Sequence, residues 1–356
     1  MRVLMFGPHL DVMGGISAVA QTWFDSEAIK AADVTYLATT VDGPKARKLA
    51  EAARCEARLV ADLARNGSPD LFHIHLSAGA SFWRKFAFFQ QVYRTGKPVV
   101  IHVHGSSIEP FYEASPVNAA AVRWMFSRAA AVIALYPAFG ERVTEWTRGA
   151  ATVEHLLNPV VLADLLRPPG QPWPAHPTVL FMGLIGDRKG TFDLMHCVPE
   201  VLAAVPDARF RFGGNGEVEK LAALAEQLGV SHATELLGWV RGPEKRAAFL
   251  EASVYCLPSY HEALPVSVLE AMAASLPVVS TTVAGIPVAV EEGVTGYLVR
   301  AGDRAALADR LIRLLSDPAR AVAMGEAGAA RAVSRFDHEV VTRDLIALWQ
   351  RTIDRR

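Results

Sequence analysis

Short apolar, β-branched runs alternate with helical patterns along this chain, and that alternation constrains the fold more than any other feature. "RVLMF", "VTYLA", "LFHIH", "PVVIHVH", "AAVIAL" and "TVEHLLN" fill the first part, and "TVLFMG", "ARFRFGG", "TELLGW", "VYCLPS", "PVVST" and "GYLVR" fill the second. Strands apolar along their whole length need cover on both faces, which helices flanking a parallel sheet provide. The expected class is α/β, with two doubly wound, Rossmann-like domains. Between the two series, residues 162–177 carry five prolines, which forbid a regular helix or a central strand. The expected organisation is therefore a first domain at 1–163, a linker at 164–177 and a second domain at 178–335. Residues 336–356 carry Val340, Val341, Leu345, Leu348, Trp349 and Ile353 on one helical stripe, predicting a helix that packs back on the first domain. Ligands of such sheets sit at the carboxyl ends of the strands, so the two domains are expected to face each other across a cleft that holds them.

Composition narrows the function classes. The 356 residues carry 36 Lys plus Arg against 37 Asp plus Glu, a balance that argues against a nucleic-acid partner. The three cysteines, Cys55, Cys197 and Cys256, have no CxxC spacing and fit a reducing cytoplasm. "MRVLMFGPHLDVMGG" reads as a first buried strand rather than a signal peptide. No run approaches the roughly 18 apolar residues of a membrane span, so any membrane contact is expected to be peripheral, on the inner face of the cell membrane.

Two glutamates carry the chemistry. In "HEALPVSVLEAMAASLPVVST", Glu262 falls in the loop after a strand and Pro265 suits the first turn of a helix striped by Val266, Leu269, Met272, Ala273 and Leu276. Glu270 lies within that helix. A helix start after a strand offers free N–H groups to a phosphate near Pro265 to Ser267. Carboxylates beside a phosphate are poor ligands for it but good acceptors for hydroxyls, as the ribose-binding acid of dinucleotide folds shows. A phosphate flanked on both sides by hydroxyls describes a nucleotide-sugar. A solvated loop acid and a helix-surface charge are the plainer reading of the same pair.

Neighbouring motifs add to the first reading. "TVLFMGLIGDRKGTFDLM" places Arg188 and Lys189 ahead of a second helix start, another anion site. "RFRFGGNGEVEKL" runs into Gly213, Gly214 and Gly216, where backbone can approach a ligand. "VLMFGPHLDVMGGIS" sets Gly14 and Gly15 before a helix without the GxGxxG pattern. His73 and His75, and His102 and His104, are spaced two apart on strands, the geometry of a zinc site in principle. No carboxylate or Cys accompanies them, and the expectation is no metal. "SFWRKFAFFQQVYRTGK" has Phe82, Phe86, Phe89 and Tyr93 at helical spacing, with Arg84, Lys85, Arg94 and Lys97 around them. It reads either as a core helix with a solvated basic edge or as a contact with an anionic membrane.

Taken in order, Gly14–Gly15, "HVHG", "LLNPV", "GLIGDRKG", "GGNGE", "LLGWV", the glutamate motif and "GVTGYLV" resemble the retaining glycosyltransferases of the GT-B fold, family four, over nearly the whole chain. The resemblance implies transfer of a hexose from a nucleoside-diphosphate sugar to a saccharide or polyprenyl-linked acceptor, in surface polysaccharide synthesis and without a divalent metal. It implies that Glu262 holds the transferred sugar, Glu270 the ribose and Lys189 the leaving diphosphate, with His104 near the reacting carbon. Gly14, Gly15, Gly214, Asn215, Ala263, Leu264, Pro265 and Val266 would line the donor, and His75, Arg84 and Lys85 the acceptor or membrane side.

Two positions depart from the family. Ser275 stands where glycine is usual, and Leu184 stands where an arginine usually follows the glycine corresponding to Gly183. Arg188 is the candidate to take over part of that arginine's charge. Other classes stay open: a nucleotide-sugar epimerase on the same fold, or a non-catalytic nucleotide-sugar binder. A dinucleotide dehydrogenase is disfavoured by the missing GxGxxG. The donor's base and sugar are not readable.

Overall fold

Every apolar run named above is a strand in a computed structural model, which describes residues 1–12, 15–104, 107–168, 174 and 176–355. The chain divides by its contacts into two units, Met1–Pro159 with His338–Arg356, and Val160–Asp337. In the first unit the strands are β1 (Arg2–Gly7), β2 (Asp33–Ala38), β3 (Leu71–Leu76), β4 (Val99–Val103), β5 (Ala131–Ala134) and β6 (Val153–His155). They form one sheet in the order β2-β1-β3-β4-β5-β6, with every pairing parallel. In the second unit, β7 (Thr178–Met182), β8 (Arg209–Gly213), β9 (Thr234–Gly238), β10 (Val254–Leu257), β11 (Val278–Thr281) and β12 (Gly296–Val299) form a sheet in the order β12-β11-β10-β7-β8-β9, again parallel. β3, β4, β5, β7, β10 and β11 are buried at every residue, as strands covered by helices on both faces must be.

Each strand order reverses direction once. The reversal lies between β1 and β3 in the first unit and between β7 and β10 in the second. Diverging crossovers leave a crevice beyond the carboxyl ends of those strands, the usual ligand position in open α/β sheets.

The C-terminal helix His338–Asp354 packs within the first unit. Its Trp349 Nε1 donates to His73 Nδ1 at 2.9 Å, and its Glu339 carboxylate accepts from Ser26 Oγ and the Glu27 amide. The proline-rich stretch, partly outside the described residues, joins the second unit, where the Arg167 guanidinium donates to the Ala274 carbonyl.

Ser275 shows why glycine suits its position. It follows the end of the helix Val266–Ala273 at φ 58°, a left-handed conformation that costs a side-chain-bearing residue about 1 kcal/mol. The turn is held from the far side by the helix Pro318–Phe336, whose Gly325 lies so close that a Cβ there would sit 1.9 Å from the Ser275 carbonyl oxygen.

Candidate functional site

The second unit's crevice, at the β7/β10 reversal, gathers most of the expected donor residues. Beyond β7 the chain runs through Gly183 and Leu184 into the short turn Asp187–Lys189 and then the helix Thr191–Ala204. Beyond β10 it runs through Ser259 and Glu262 into the helix Val266–Ala273, whose Pro265 N-cap provides no side-chain cap to the first-turn amides. Val268 N–H donates back to the Pro265 carbonyl at 3.1 Å, which leaves the Val266 and Ser267 amides to face an anion.

Lys189 and Glu262, 73 positions apart, meet here in an ion pair. Both side chains are largely buried, at 15 % and 9 % exposure. Ser259 Oγ donates to the same Glu262 oxygen at 3.0 Å, fixing the carboxylate's orientation. A buried pair of this kind is costly to break from one side only, because the remaining charge is stranded in a poorly solvated site.

Glu270 has a different partner. Lys245, on the helix Gly242–Leu250, reaches Glu270 Oε1 at 2.5 Å. Burial raises the Glu270 carboxyl above its ordinary range, and the Lys245 ammonium acts against that rise. The two glutamates thus form two lysine–carboxylate pairs rather than a solvated loop acid and a surface charge. Lys245 was not singled out in the sequence, since it belongs to no motif and reaches Glu270 only through the packing of two helices.

The glycine loop has a structural explanation of its own. Gly214 sits at φ 142°, and a Cβ there would lie 1.8 Å from the Gly183 carbonyl oxygen. The loops after β7 and β8 are zipped together by Gly183 N to Gly213 O and Ile185 N to Asn215 O. The glycines are needed first for this close backbone packing, which shapes the wall that Gly214 and Asn215 present. Ala263 is half-buried, Leu264 is buried, and Val266 opens the helix.

Leu184 is 47 % exposed, so no buried cation stands at that position. Arg188 lines a neighbouring cavity of about 440 Å³ with Asp193, Tyr260, His261 and Arg304. Asp193 is already shared there between the Tyr260 hydroxyl at 2.6 Å and Arg304 Nε at 2.7 Å.

In the first unit, Gly15 opens the helix Gly15–Asp25, while Gly14 lies outside the described residues. The four strand histidines come together. His75 Nδ1 and His104 Nε2 are 2.7 Å apart, and the His102 ring stacks on His104 at 3.9 Å between centroids. Burial lowers all four below the ordinary histidine range, which keeps them neutral near pH 7. One nitrogen from each of His73, His75 and His102 converges within 4.8 Å, a spacing compatible with a metal. The donor set fits one poorly. An indole N–H can only donate, so His73 Nδ1 must accept from Trp349 and its proton sits on Nε2, which then cannot ligate.

The basic aromatic segment forms the helix Ala80–Tyr93, with Phe82, Lys85, Phe88, Phe89 and Val92 on its buried face. The expected basic edge needs correcting at Lys85, which is 1 % exposed and bonds to Ser81 Oγ. It faces inward and cannot meet a membrane surface.

Comparison with known proteins agrees with this architecture. Residues 176–317 match the family model described as glycosyl transferases group 1. A phosphatidyl-myo-inositol mannosyltransferase of Mycobacterium leprae is 37 % identical over 49 % of this chain and 46 % of its own length. A D-inositol 3-phosphate glycosyltransferase of Corynebacterium aurimucosum is 34 % identical over 45 % of this chain and 40 % of its own. The matched stretch thus spans less than half the length of these curated relatives. Among solved structures, sucrose-phosphate synthase from Thermosynechococcus elongatus superposes with a TM-score of 0.81 at 18 % identity over 100 % of both chains. The Anabaena HepE structure in complex with UDP gives 0.76 at 18 % identity, over 98 % of this chain and 100 % of that one. Residues 176–317 are thus similar to the glycosyl transferases group 1, and the two parallel sheets share the GT-B fold of these solved structures.

Proposed function

We propose that the chain is a glycosyltransferase that moves a hexose from a nucleoside-diphosphate sugar to a hydroxyl of a saccharide or lipid-linked saccharide, with anomeric configuration kept. The observation that carries this reading is the pairing of Lys189 with Glu262, beside Glu270 and an uncapped helix start, at the β7/β10 crevice. A diphosphate there exchanges places with Glu262 as the partner of Lys189, which frees the carboxylate for sugar hydroxyls. Lys189 and the first-turn amides then stabilise the charge that develops on the leaving phosphate. No divalent metal is needed for that step. Same-face attack lets the departing phosphate oxygen take the acceptor's proton. Glu270 holds the ribose.

The titles of the HepE structures, which include complexes with UDP and with UDP-glucose, make a uridine nucleotide the first donor to try. We place the reaction in surface polysaccharide assembly in the cytoplasm. Among the described residues no helix is long and apolar enough to cross a membrane, and the inward-facing Lys85 removes one cation from the peripheral contact expected on the helix Ala80–Tyr93. Exposed Leu184 favours a second reading, a binder of nucleotide-sugars without turnover, because the leaving phosphate has one cation fewer.

A donor panel separates these readings. Saturating UDP, GDP or ADP at a hundred times Kd is expected to stabilise the fold by about 2.7 kcal/mol for the right base. Slow hydrolysis of the matching nucleotide-sugar supports the transferase. Binding without turnover supports the second reading, and an isomerised nucleotide-sugar would make the protein an epimerase.

A further inference from the structure

The proposed reaction sets a problem for the two loops that carry Lys189 and Glu262. Pairing between β7 and β10 joins Val179 to Val254 and Leu180 to Tyr255, several residues short of either loop. The Lys189–Glu262 ion pair bridges the gap in the free protein, but a donor diphosphate that takes the place of Glu262 opens that bridge. A lysine freed on an unsupported loop would drift from the leaving phosphate, and a misplacement of about 1 Å at a reacting centre can cost about a hundredfold in rate. A second fastening has to keep the loops in register.

Tyr260 provides one. It lies two residues before Glu262, and its amide donates at 3.0 Å to the carbonyl of Arg188, the neighbour of Lys189. Its hydroxyl donates to Asp193 Oδ2 at 2.6 Å, a short, charge-assisted bond. Asp193 is buried in the first turn of the helix Thr191–Ala204, directly after the Lys189 turn. Arg304, which opens the helix Arg304–Leu315, donates from Nε to the other oxygen, Oδ1, at 2.7 Å, so the carboxylate is held from both sides. The bond to Asp193, and burial after it, raise the Tyr260 phenol above its ordinary range and keep the hydroxyl a donor. Gly190 lets the two loops come this close. At φ 67° it lies against Pro258, where a Cβ would sit 2.0 Å from the carbonyl oxygen. None of these contacts uses a group that the diphosphate displaces.

We propose that Tyr260 and Asp193 are positioning residues, a latch that holds the Lys189 turn against the Glu262 loop once a nucleoside diphosphate has opened the ion pair. The role of Lys189 rests on the transferase reading above. In the free protein the loops are held twice, by the ion pair and by the latch. In the nucleotide-bound protein the latch acts alone, so its loss shows there.

Tyr260→Phe tests this, since it removes one oxygen from a side chain 38 % exposed and leaves the ring in place. Hydrogen exchange is followed over residues 186–191 and 258–262 of the full chain, free and with UDP or whichever of GDP and ADP binds. Without nucleotide the variant is expected to exchange within about threefold of wild type, and with nucleotide about tenfold faster, the size of a lost hydrogen bond to a carboxylate. Where a nucleotide-sugar is turned over, kcat should fall about tenfold with donor KM within about twofold, because the displaced charge is needed only in the transition state. In a Lys189→Ala background the same substitution should lower kcat no further, whereas a loss of stability alone would act alike in both backgrounds. Equal exchange of the two nucleotide-bound proteins, the same acceleration with and without nucleotide, or an equal loss of kcat in both backgrounds overturns the latch. Wild-type turnover with unaltered exchange in the variant sinks this inference alone. Faster exchange in a nucleotide-bound variant, with no nucleotide-sugar turned over by the wild type, keeps the latch and sinks the transferase reading. Failure of all three nucleotides to bind sinks both.

Discussion

Lys189→Ala is expected to lower turnover of the donor by about 10²- to 10³-fold, the usual loss when one donor aimed at a developing oxyanion is removed. The size follows from the setting of the ammonium. At 15 % exposure beside Glu262 it works in a poorly solvated crevice, where a charge-assisted contact to phosphate is stronger than in water. The same burial has a structural consequence, because the variant strands Glu262 without its counter-charge and should lose stability as well. Turnover is therefore compared at a temperature where both proteins are folded, as judged by circular dichroism. Arg188→Ala is expected to lose at most about tenfold, since Arg188 lines the neighbouring cavity with Asp193 and Arg304 and contributes its charge alongside that of Lys189. If Lys189→Ala turned over the donor within threefold of wild type, the lysine would be a structural partner of Glu262 and no more.

The first unit is expected to lose stability steeply below pH 6. His73, His75 and His102 are fully buried, and burial holds their folded pKa values below the ordinary 6.5. In the unfolded chain they take up protons as pH falls through about 6.5, whereas in the folded chain they stay neutral. Stability is thus present above that pH and lost as pH falls toward the folded values. Each histidine contributes about 1.4 kcal/mol per pH unit once the unfolded form is protonated, so three give roughly 4 kcal/mol per unit. Urea denaturation at pH 7.5, 6.5 and 5.5, read through exchange of the 71–76 amides, measures the slope. His102→Phe should reduce it by one proton. Neither ring nitrogen of His102 has a hydrogen-bond partner, so the substitution leaves no group unpaired. A stability flat from pH 7.5 to 5.5 would contradict the account.

The sheets were legible because parallel strands covered on both faces leave a signal that needs no knowledge of partners: an apolar run between helices. The same holds for Glu262 and Glu270, whose strand–loop–helix setting announces itself in "VYCLPSYHEALPVSVLE". Lys245 was not legible, because its meeting with Glu270 depends on how the helices Gly242–Leu250 and Val266–Ala273 pack, which no local pattern records. Lys85 was half legible. It looked like part of a basic edge beside Arg84, but it lies three residues after Phe82 and four before Phe89, on the buried stripe. Charge argued one way and periodicity the other, and periodicity prevailed. The glycines of "FGGNG" were read as room for a ligand, whereas Gly214 is fixed first by the approach of the Gly183 carbonyl from a neighbouring loop.

The division of labour between the two glutamates is the centre of the functional account, and isothermal titration of UDP or the matching nucleoside diphosphate into Glu270→Gln and Glu262→Gln tests it most directly. Gln keeps the shape of each side chain and removes its charge. Loss of a charged hydrogen-bond acceptor for ribose, about 1.5–3 kcal/mol, predicts nucleotide binding weakened about 10- to 100-fold in Glu270→Gln. Glu262→Gln should bind the nucleotide within about threefold of wild type, because its carboxylate serves the sugar that the nucleotide lacks. Equal weakening by both substitutions, or by Glu262→Gln alone, would contradict the assignment.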